Sequence, residues 1–216
     1  MTTKTKHDER AGTVDLIGGR LCLDFVNSVD SRSAEPVEEL LLSYADLVEW
    51  GAHAGALTPG EAERMLAAGA RRPGAAGDAL RQAIVLREAL YRVLAAALED
   101  RGATEADLGV VNAALGRAMA HQRLEPGAAG YTWAWEGESG ESGDAELDRM
   151  LWPVARSAGD LLTSEDLGRV RACASQTCGW LFLDTSRNHS RRWCKMGDCG
   201  NRAKARRHYQ RRRATT

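Results

Sequence analysis

Four cysteines in the last quarter of the chain have residue types and a spacing that indicate chemistry. They form two pairs, Cys173 with Cys178 and Cys194 with Cys199, with four residues inside each pair and fifteen between the pairs. Two short loops that each present two thiolates supply the four tetrahedral ligands of a structural Zn²⁺ ion. Clustered cysteines in a reducing cytosol bind metal more often than they form disulfides. The spacing therefore predicts zinc as a cofactor, with two disulfides or four ordinary buried thiols as the alternatives.

Four thiolates complete the zinc shell, so the predicted site has no position for a catalytic water. Residues 179–193, which separate the two pairs, read as a hairpin that brings the pairs together. So small a module has too little apolar area to fold alone, and the metal would supply much of its folding energy. A helix that projects from the last cysteine pair would complete a treble-clef-like zinc finger.

That helix would be strongly basic. Residues 200–213 read GNRAKARRHYQRRR, which is rich in helix-forming alanine and arginine, and Asn201 is expected to cap the helix. Like charges one turn apart destabilise a free helix, and a polyanion such as duplex DNA removes this penalty. The residues predicted to contact nucleic acid are Arg187, Arg191, Arg192, Lys195, Asn201, Arg202, Lys204, Arg206, Arg207 and Arg211. The alternative is a solvated basic tail.

The charge of the chain is divided between two regions. Residues 169–216 carry thirteen Lys/Arg and two Asp/Glu, a net charge of +11, whereas residues 1–168 have a net charge of −12. Such asymmetry indicates domains with different partners. We therefore predict a flexible leader over residues 1–13, a body over 14–165 and the zinc finger with its basic helix over 169–213. The body would sense a small-molecule effector or form a homodimer.

The body reads as mainly helical. Three residues stand where helix N-caps are expected, namely Ser43, Thr58 and Thr104. Apolar residues at helical spacing predict a long helix from Asp78 to Glu99. A last body helix is predicted to begin at Asp144 and to kink at Pro153.

Two segments of the body read as strands. Residues 16–30 alternate with a period of two, and residues 121–137 have the pattern of a hairpin with alternating aromatic residues. We expect both segments to join in one small antiparallel sheet, which makes the whole chain α+β. A candidate ligand pocket beside this sheet would be lined by Asp24, Asn27, Trp133 and Trp135. Turn hydrogen bonds for the two polar residues and core packing for the tryptophans are the favoured alternatives.

The cysteine segment as a whole, CASQTCGWLFLDTSRNHSRRWCKMGDCGNRAKARRHYQRR, resembles the CGNR zinc finger, which is named for the motif that stands here at residues 199–202. The cysteine spacing and the stretches FLDTSR and RRWC agree with that family as well. The upstream stretch GGRLCLDFVNSVD resembles the opening of the ABATE domain, which commonly precedes this finger. The resemblance implies a stress-related transcription regulator whose zinc ligands are Cys173, Cys178, Cys194 and Cys199.

Several function classes find no support in the sequence. No run of about 18 apolar residues could span a membrane, and the polar start lacks a secretory signal, so we expect a cytoplasmic protein. No phosphate-binding glycine loop, HExxH motif or nucleophile elbow is present, so we do not expect an enzyme. The preferred function is DNA-binding transcriptional regulation. The alternatives are a zinc module that binds RNA or protein, and a small-molecule-binding body with the finger as an accessory.

Overall fold

Helices account for most of the fold. The computed structural model of the chain describes residues 10–30, 32–33, 37–128, 130–136 and 146–214. The α-helices in these ranges are α1 (Leu21–Val26), α2 (Tyr44–His53), α3 (Pro59–Arg71), α4 (Pro73–Leu98), α5 (Glu105–Ala120), α6 (Leu151–Leu162) and α7 (Asn201–Ala214). The strands form three separate antiparallel pairs, which are β1 (Val29–Asp30) with β2 (Glu38–Glu39), β3 (Gln122–Gly127) with β4 (Gly130–Trp135), and β5 (Val170–Ala172) with β6 (Leu181–Leu183). The predicted α+β class, with a mainly helical body, is confirmed.

The first described residues pack against the body. Ala11–Thr13 form a 3₁₀ turn that contacts α2, and Ala11 is buried. Residues 1–9, which make up most of the predicted leader, lie outside the described residues. The bounds of the body and of the zinc finger stay predictions.

The predicted helix starts are confirmed at all three N-caps. Each hydroxyl accepts a hydrogen bond from the backbone N–H three residues further on: Asp46 N to Ser43 Oγ at 3.2 Å, Glu61 N to Thr58 Oγ1 at 3.3 Å, and Asp107 N to Thr104 Oγ1 at 3.1 Å. Each cap satisfies one N–H group that has no partner inside its helix, which is worth about 1 kcal/mol. Because donor and acceptor are so close in sequence, local residues alone determine these starts.

Two helix boundaries differ from the prediction. Helix α4 begins at Pro73 rather than at Asp78, because a proline at the first helical position has no intrahelical hydrogen bond to lose. Helix α6 begins at Leu151, so Pro153 lies in its first turn. In the first turn a proline breaks no intrahelical hydrogen bond, because the N–H groups there have no partner within the helix. The kink that we predicted at Pro153 is therefore not expected. The predicted start of this helix, Asp144, lies outside the described residues.

The prediction of a strand over residues 16–30 is wrong, because its central part forms α1. The buried residues of this helix are Cys22, Leu23, Phe25 and Val26. Adjacent buried residues separated by one half-buried position, Asp24, are the pattern of one side of a helix rather than of a strand. A segment of six residues is short enough to display an apparent period of two as well.

The hairpin predicted around the tryptophans is confirmed as β3 and β4, which pair in register from Gln122 opposite Trp135 to Gly127 opposite Gly130. Its predicted union with an N-terminal strand is wrong, since that segment is helical. Among the described residues, β3 and β4 pair only with each other, so neither outer edge of the hairpin has a strand partner.

One continuous core joins the helical body to the C-terminal segment. Helix α1 packs on α4 and α6, and α5 packs on the same two helices. Buried aromatic side chains in the body include Phe25 and Trp50, whose ring centroids lie 5.0 Å apart. The same cluster of buried residues continues through β5 and β6 to the cysteines, with Trp180 and Phe182 almost fully buried. The body therefore supplies apolar surface that the C-terminal segment lacks.

Candidate metal centre and basic surface

The cysteine segment is built from one hairpin and one helix. The first pair, Cys173 and Cys178, lies in the loop that joins β5 to β6. In the second pair, Cys194 lies in the chain that leads to α7, and Cys199 lies in a π-helical turn directly before that helix. The hairpin loop thus contributes two sulfurs, and the chain segment that leads into α7 contributes the other two, as the treble-clef-like prediction requires.

The hairpin predicted over residues 179–193 is wrong in position. Its strands flank the first cysteine pair instead of separating the two pairs, and residues 184–193 return to the metal centre as a loop. A backbone hydrogen bond from Ala174 N–H to the Arg192 carbonyl, at 2.8 Å, joins this returning loop to the loop of the hairpin. The two cysteine pairs are therefore brought together by this loop.

The four sulfur atoms have the grouping that a zinc ion requires. They all lie within 4.8 Å of one another, and the sulfur of Cys194 is 3.5 Å from that of Cys178 and 3.6 Å from that of Cys199. Four sulfurs at zinc-bond length on the corners of a tetrahedron are about 3.8 Å apart. All four thiols are buried and none forms a disulfide. The donor set therefore fits zinc, and the disulfide alternative is not what the structure contains.

The four neighbouring thiols can all ionise only if a positive charge compensates them. Hydrogen bonds from the other three thiols, and then from Arg202, hold the pKa of Cys199 below its ordinary value, while the same cluster raises the pKa of Cys194. Thiols this close cannot all ionise without a compensating charge, because each thiolate raises the energy of the next. A bound Zn²⁺ ion supplies that charge and lets all four sulfurs act as thiolates. Two donors already point at the sulfurs: Arg202 Nη2 lies 3.1 Å from Cys199 Sγ, and the backbone N–H of Cys194 lies 3.4 Å from Cys173 Sγ.

Two glycines that directly follow the cysteine pairs pack closely against neighbouring side chains, a close approach that the sequence analysis did not predict. Gly179 has a φ of +70°, and a Cβ atom there would lie 2.8 Å from the Ser33 hydroxyl oxygen. A Cβ atom at Gly200 would lie 2.4 Å from the sulfur of Met196. The signal was present in the sequence, because the second cysteine of each pair is followed directly by a glycine.

The metal centre is joined to the body by buried hydrogen bonds. The side-chain amide of Asn27 donates to the Leu181 carbonyl at 2.8 Å, and its oxygen accepts from the Leu181 N–H at 2.9 Å. The indole N–H of Trp180 donates to the Val29 carbonyl at 2.7 Å. These contacts join the end of α1 and β1 to residues 180–181, where β6 begins. Asn27 therefore acts as a polar clamp: its two hydrogen bonds hold β6, the strand that follows the first cysteine pair, against the end of α1.

One of the four predicted pocket residues, Trp135, lines a cavity in the structure, and a pocket shared by all four stays a prediction. A cavity of about 250 Å³ is lined in part by Trp135, together with Arg20, Arg156 and Ser157, and Asp24, Asn27 and Trp133 are not among its lining residues. The Asp24 carboxylate accepts a hydrogen bond from the Gly18 N–H at 2.7 Å, and burial raises the pKa of Asp24 to about 6. The role of Asp24 is therefore to hold the turn before α1.

Some of the predicted nucleic-acid residues make contacts within the protein. The Arg191 guanidinium lies 4.2 Å from the Phe182 ring centroid and donates to the Trp193 and Cys194 carbonyls. Lys195 forms an ion pair with Asp15 of the body. Arg202 donates to Cys199, as described above. These three side chains support the metal centre and its contact with the body.

Asn201 does not cap α7 in the predicted way. Its backbone is helical, and its side-chain amide donates to the Gly197 carbonyl at 2.8 Å instead of accepting a bond from the first turn. The π-helical turn that ends at Gly200 runs directly into α7, so the helix has no free N-terminal N–H groups at that residue to cap. Asn201 ties the helix to the turn that carries Cys199.

The remaining predicted residues are exposed, as Lys195, Asn201 and Arg202 also are. Arg187 and Arg192 lie on the loop over residues 184–193, and Arg192 also lies 5.3 Å from the ring of Trp193. The exposed basic residues of α7 that were predicted as contacts are Lys204, Arg206, Arg207 and Arg211. Arg206 also donates to the side chain of Gln176 in the hairpin loop, a contact that sequence reasoning missed. We call these six residues the basic surface.

Comparison with known proteins gives two matches. The model of the ABATE family, described as "Putative stress-induced transcription regulator", matches residues 19–165, and the model of the CGNR zinc finger matches residues 169–212. No curated protein matches the chain. Neither matching family is an enzyme family. Within the part of the chain that the structure describes, there is no helix with both the length and the apolar character to span a membrane.

Proposed function

The chain belongs to the ABATE family and carries a CGNR zinc finger, and from this premise we propose that it is a transcription regulator that binds duplex DNA. In this proposal one structural Zn²⁺ ion is held by Cys173, Cys178, Cys194 and Cys199. The ion fixes the hairpin loop to the base of α7. The basic surface then contacts the phosphates of DNA, and the body provides sensing or dimerisation.

The observation that carries the proposal is that the strongly basic helix α7 is attached at its first turn to the cysteine cluster. Helix α7 has seven Lys/Arg and no Asp/Glu among its fourteen residues, so it has no apolar face with which to pack on a core. Its first turn is nevertheless tied to the buried cysteine cluster through Arg202. A positive helix held at one end and exposed along its length is suited to the phosphates that line a DNA groove.

The division of charge gives independent support. The body has a net charge of −12 and would be repelled by a polyanion, whereas the cysteine segment and its helix have a net charge of +11. This difference favours contact through the basic surface alone. It also favours an orientation in which the body lies away from the DNA.

The structure sharpens which basic residues we expect to act on DNA. Arg191 and Arg202 are engaged with carbonyl groups and with a cysteine, so their substitution would act through the metal centre. Lys204 and Arg207 are exposed on α7 and would act directly on phosphates. The logarithm of the affinity falls linearly with the logarithm of the salt concentration, and each lost phosphate contact reduces the magnitude of that slope by about 0.9.

The test is fluorescence anisotropy of the zinc-loaded chain with labelled duplex DNA at several salt concentrations. Lys204→Ala with Arg207→Ala should weaken binding by about tenfold or more and lower the salt slope by about 1.8. The matched control is Arg64→Ala with Arg71→Ala, which removes the same charge from exposed positions on α3 and should leave binding nearly unchanged. Equal losses from both pairs would mean a general charge effect and would contradict the proposal.

Competition separates DNA from the other polyanions that a basic surface could bind. Duplex DNA and structured RNA of equal length would be compared as competitors at one salt concentration. The proposal predicts that duplex DNA competes better, because a single exposed helix suits a major groove and the major groove of RNA is too narrow for it. Stronger competition by RNA would favour the RNA-binding alternative.

A further inference from the structure

Two arginines of α7 are held by contacts with the metal centre, and they stand four residues apart. Arg202 donates to the sulfur of Cys199, as described above. Arg206 donates through Nη1 to the side-chain oxygen of Gln176. Because residues four apart lie on the same side of a helix, one side of α7 faces the loop between β5 and β6. A ligand that binds along this side of α7 therefore meets the helix and the loop together.

Gln176 lies at the tip of that loop, which the metal centre and the backbone hold in place. The two cysteines of the first pair flank the tip, and the Cys178 N–H donates to the Ser175 carbonyl at 3.3 Å, which closes a tight turn. On the other side, α7 begins two residues after Cys199, a third member of the sulfur cluster. The cysteine cluster therefore anchors both partners of the contact between Gln176 and Arg206.

The contact between Gln176 and Arg206 contributes little to the stability of the fold. Both residues are exposed, and a hydrogen bond between exposed side chains replaces bonds that both groups make with water. Its effect is on orientation, because it restricts a guanidinium at the end of a long side chain. A side chain that is ordered before binding loses less conformational entropy on binding. The contact therefore prepares Arg206 for a ligand that requires a defined direction.

The guanidinium of Arg206 keeps the donors that such a ligand needs. Its five N–H groups lie in one plane, and the bond to Gln176 uses Nη1. The N–H groups on Nε and Nη2, which point in parallel, have no hydrogen-bond partner among the described residues. Two parallel donors match the O6 and N7 atoms of guanine in the major groove, the commonest specific contact between arginine and DNA.

Two other residues of α7 differ from Arg206 in this respect. Lys204 and Arg207 are exposed, and neither makes a hydrogen bond or an ion pair with another side chain in the described part of the chain. Side chains without a fixed direction can follow the phosphates of any sequence, and phosphate contacts carry no information about the bases. The fixed arginine is therefore the one suited to a base edge.

We propose that Arg206 reads a guanine base in the major groove of DNA, and that Gln176 is the positioning residue that holds its guanidinium for this contact. Lys204 and Arg207 then supply phosphate contacts that fix the register of α7 on the duplex. The inference rests on the proposed function and deepens it, because it names the residue that selects a sequence. The deep and narrow major groove of RNA offers no such contact.

The test begins with the selection of duplex DNA from a random pool by the zinc-loaded full chain. The wild type and Arg206→Ala are used in parallel, and we expect a guanine position that only the wild type enriches. Fluorescence anisotropy then compares the selected duplex with one that carries an A·T pair at that position. The wild type should prefer the guanine by about tenfold or more, and Arg206→Ala should bind both duplexes with equal affinity.

Arg207→Ala is the matched control, because it removes the same charge from the next residue of α7. It should weaken binding to both duplexes alike and reduce the magnitude of the salt slope by about 0.9. Its preference for the guanine duplex should remain that of the wild type. A loss of this preference in Arg207→Ala as well would mean a general charge effect and would contradict the assignment to Arg206.

Gln176 is tested by two substitutions that differ in the hydrogen-bond acceptor. Gln176→Leu removes the acceptor without a change of charge, so the preference for guanine should fall to about threefold or less while the salt slope stays that of the wild type. Gln176→Glu keeps an acceptor for Arg206 and should keep the preference. Equal zinc content and equal thermal melting of the two variants would exclude damage to the metal centre as the cause.

Failure of this inference can be distinguished from failure of the proposed function. A wild type that binds duplex DNA with a steep salt dependence but enriches no guanine would overturn the inference and leave the proposed function standing. A guanine preference that survives Arg206→Ala would overturn it too, and one that Gln176→Leu leaves at the wild-type level would overturn the positioning role. A chain that binds no duplex would overturn the proposed function together with this inference.

Discussion

The helical body and the cysteine segment bury their side chains by different means. In the body, long helices with local caps pack their apolar sides on one another, and Trp50 lies in a core made only of such sides. The cysteine segment has two strands of three residues and one polar helix, yet Trp180 is equally buried. It achieves this by placing β6 against α1 and β1 of the body. The difference teaches that the metal and the body core must act together to order this segment.

The largest effect that would test this coupling is expected from Cys178→Ser. Zinc content should fall from one ion per chain to near zero, and DNA binding should be lost. The free energy of unfolding should fall by about 3 kcal/mol or more, since a buried ligand set is left without its cation. Metal analysis and thermal unfolding measure both.

The control for that change is Cys22→Ser, which alters a buried cysteine outside the cluster, where burial raises the pKa of the thiol to about 11. Zinc content should be unchanged in this variant. If Cys178→Ser lost its zinc while the body melted as in the wild type, the two regions would be independent. The coupling between the metal centre and the body would then be contradicted.

A second test removes the largest side chain that the segment places in the shared core. Trp180→Ala should lower the free energy of unfolding by about 3–5 kcal/mol, because it leaves a cavity and removes the bond to the Val29 carbonyl. Trp133→Ala, at a half-exposed position, should cost about 1 kcal/mol or less. Chemical unfolding of both variants gives the two values. Similar losses would mean that Trp180 does not link the two regions.

A smaller loss is expected from the polar clamp. Asn27→Ala leaves the buried N–H and C=O of Leu181 without these partners, which should cost about 2 kcal/mol and lower the affinity for zinc. Asn188→Ala, on the exposed part of the 184–193 loop, is the control and should change neither quantity. Zinc competition with a chelator, combined with unfolding curves, would detect both effects. A normal zinc affinity in Asn27→Ala would indicate that the clamp serves the body alone.

The smallest predicted effect concerns pH. Burial raises the pKa of Asp24 from 3.8 to about 6, so the folded protein binds this proton more tightly than the unfolded chain does. Stability should therefore decline as pH rises from about 4 to about 6, by up to about 2 kcal/mol. In Asp24→Asn this decline should disappear, and in Asp160→Asn, at an exposed position, it should persist. Unfolding curves at several pH values measure it, and an identical decline in all three proteins would contradict the assignment.

The parts of the structure that the sequence could predict are those determined by residues close together in the sequence. The caps at Ser43, Thr58 and Thr104 join residues three apart, and the cysteine grouping follows from a spacing that suits zinc. The tryptophan hairpin was likewise predictable, because its turn and its alternation are local. The α+β class followed from these elements together.

The rest depends on contacts between distant parts of the chain. The apolar residues of segment 21–26 fit the period of a strand as well as that of a helix. Packing on α4 and α6 makes the segment a helix. Asn27 read as a turn or pocket residue because its partner, Leu181, is 154 residues away. The contacts of Arg191 and Arg202 with carbonyl groups and with a cysteine sulfur could not be predicted, because composition does not show which groups an arginine lies beside. Their contact with DNA stays a prediction.

The central claim is that one zinc ion on four cysteines orders the segment that carries the basic surface. X-ray absorption at the zinc edge of the purified full chain tests it most directly. We predict one zinc per chain with four sulfur neighbours at about 2.3 Å. A shell that contains nitrogen or oxygen, or a chain that folds with its thiols intact and takes up no zinc, would contradict it.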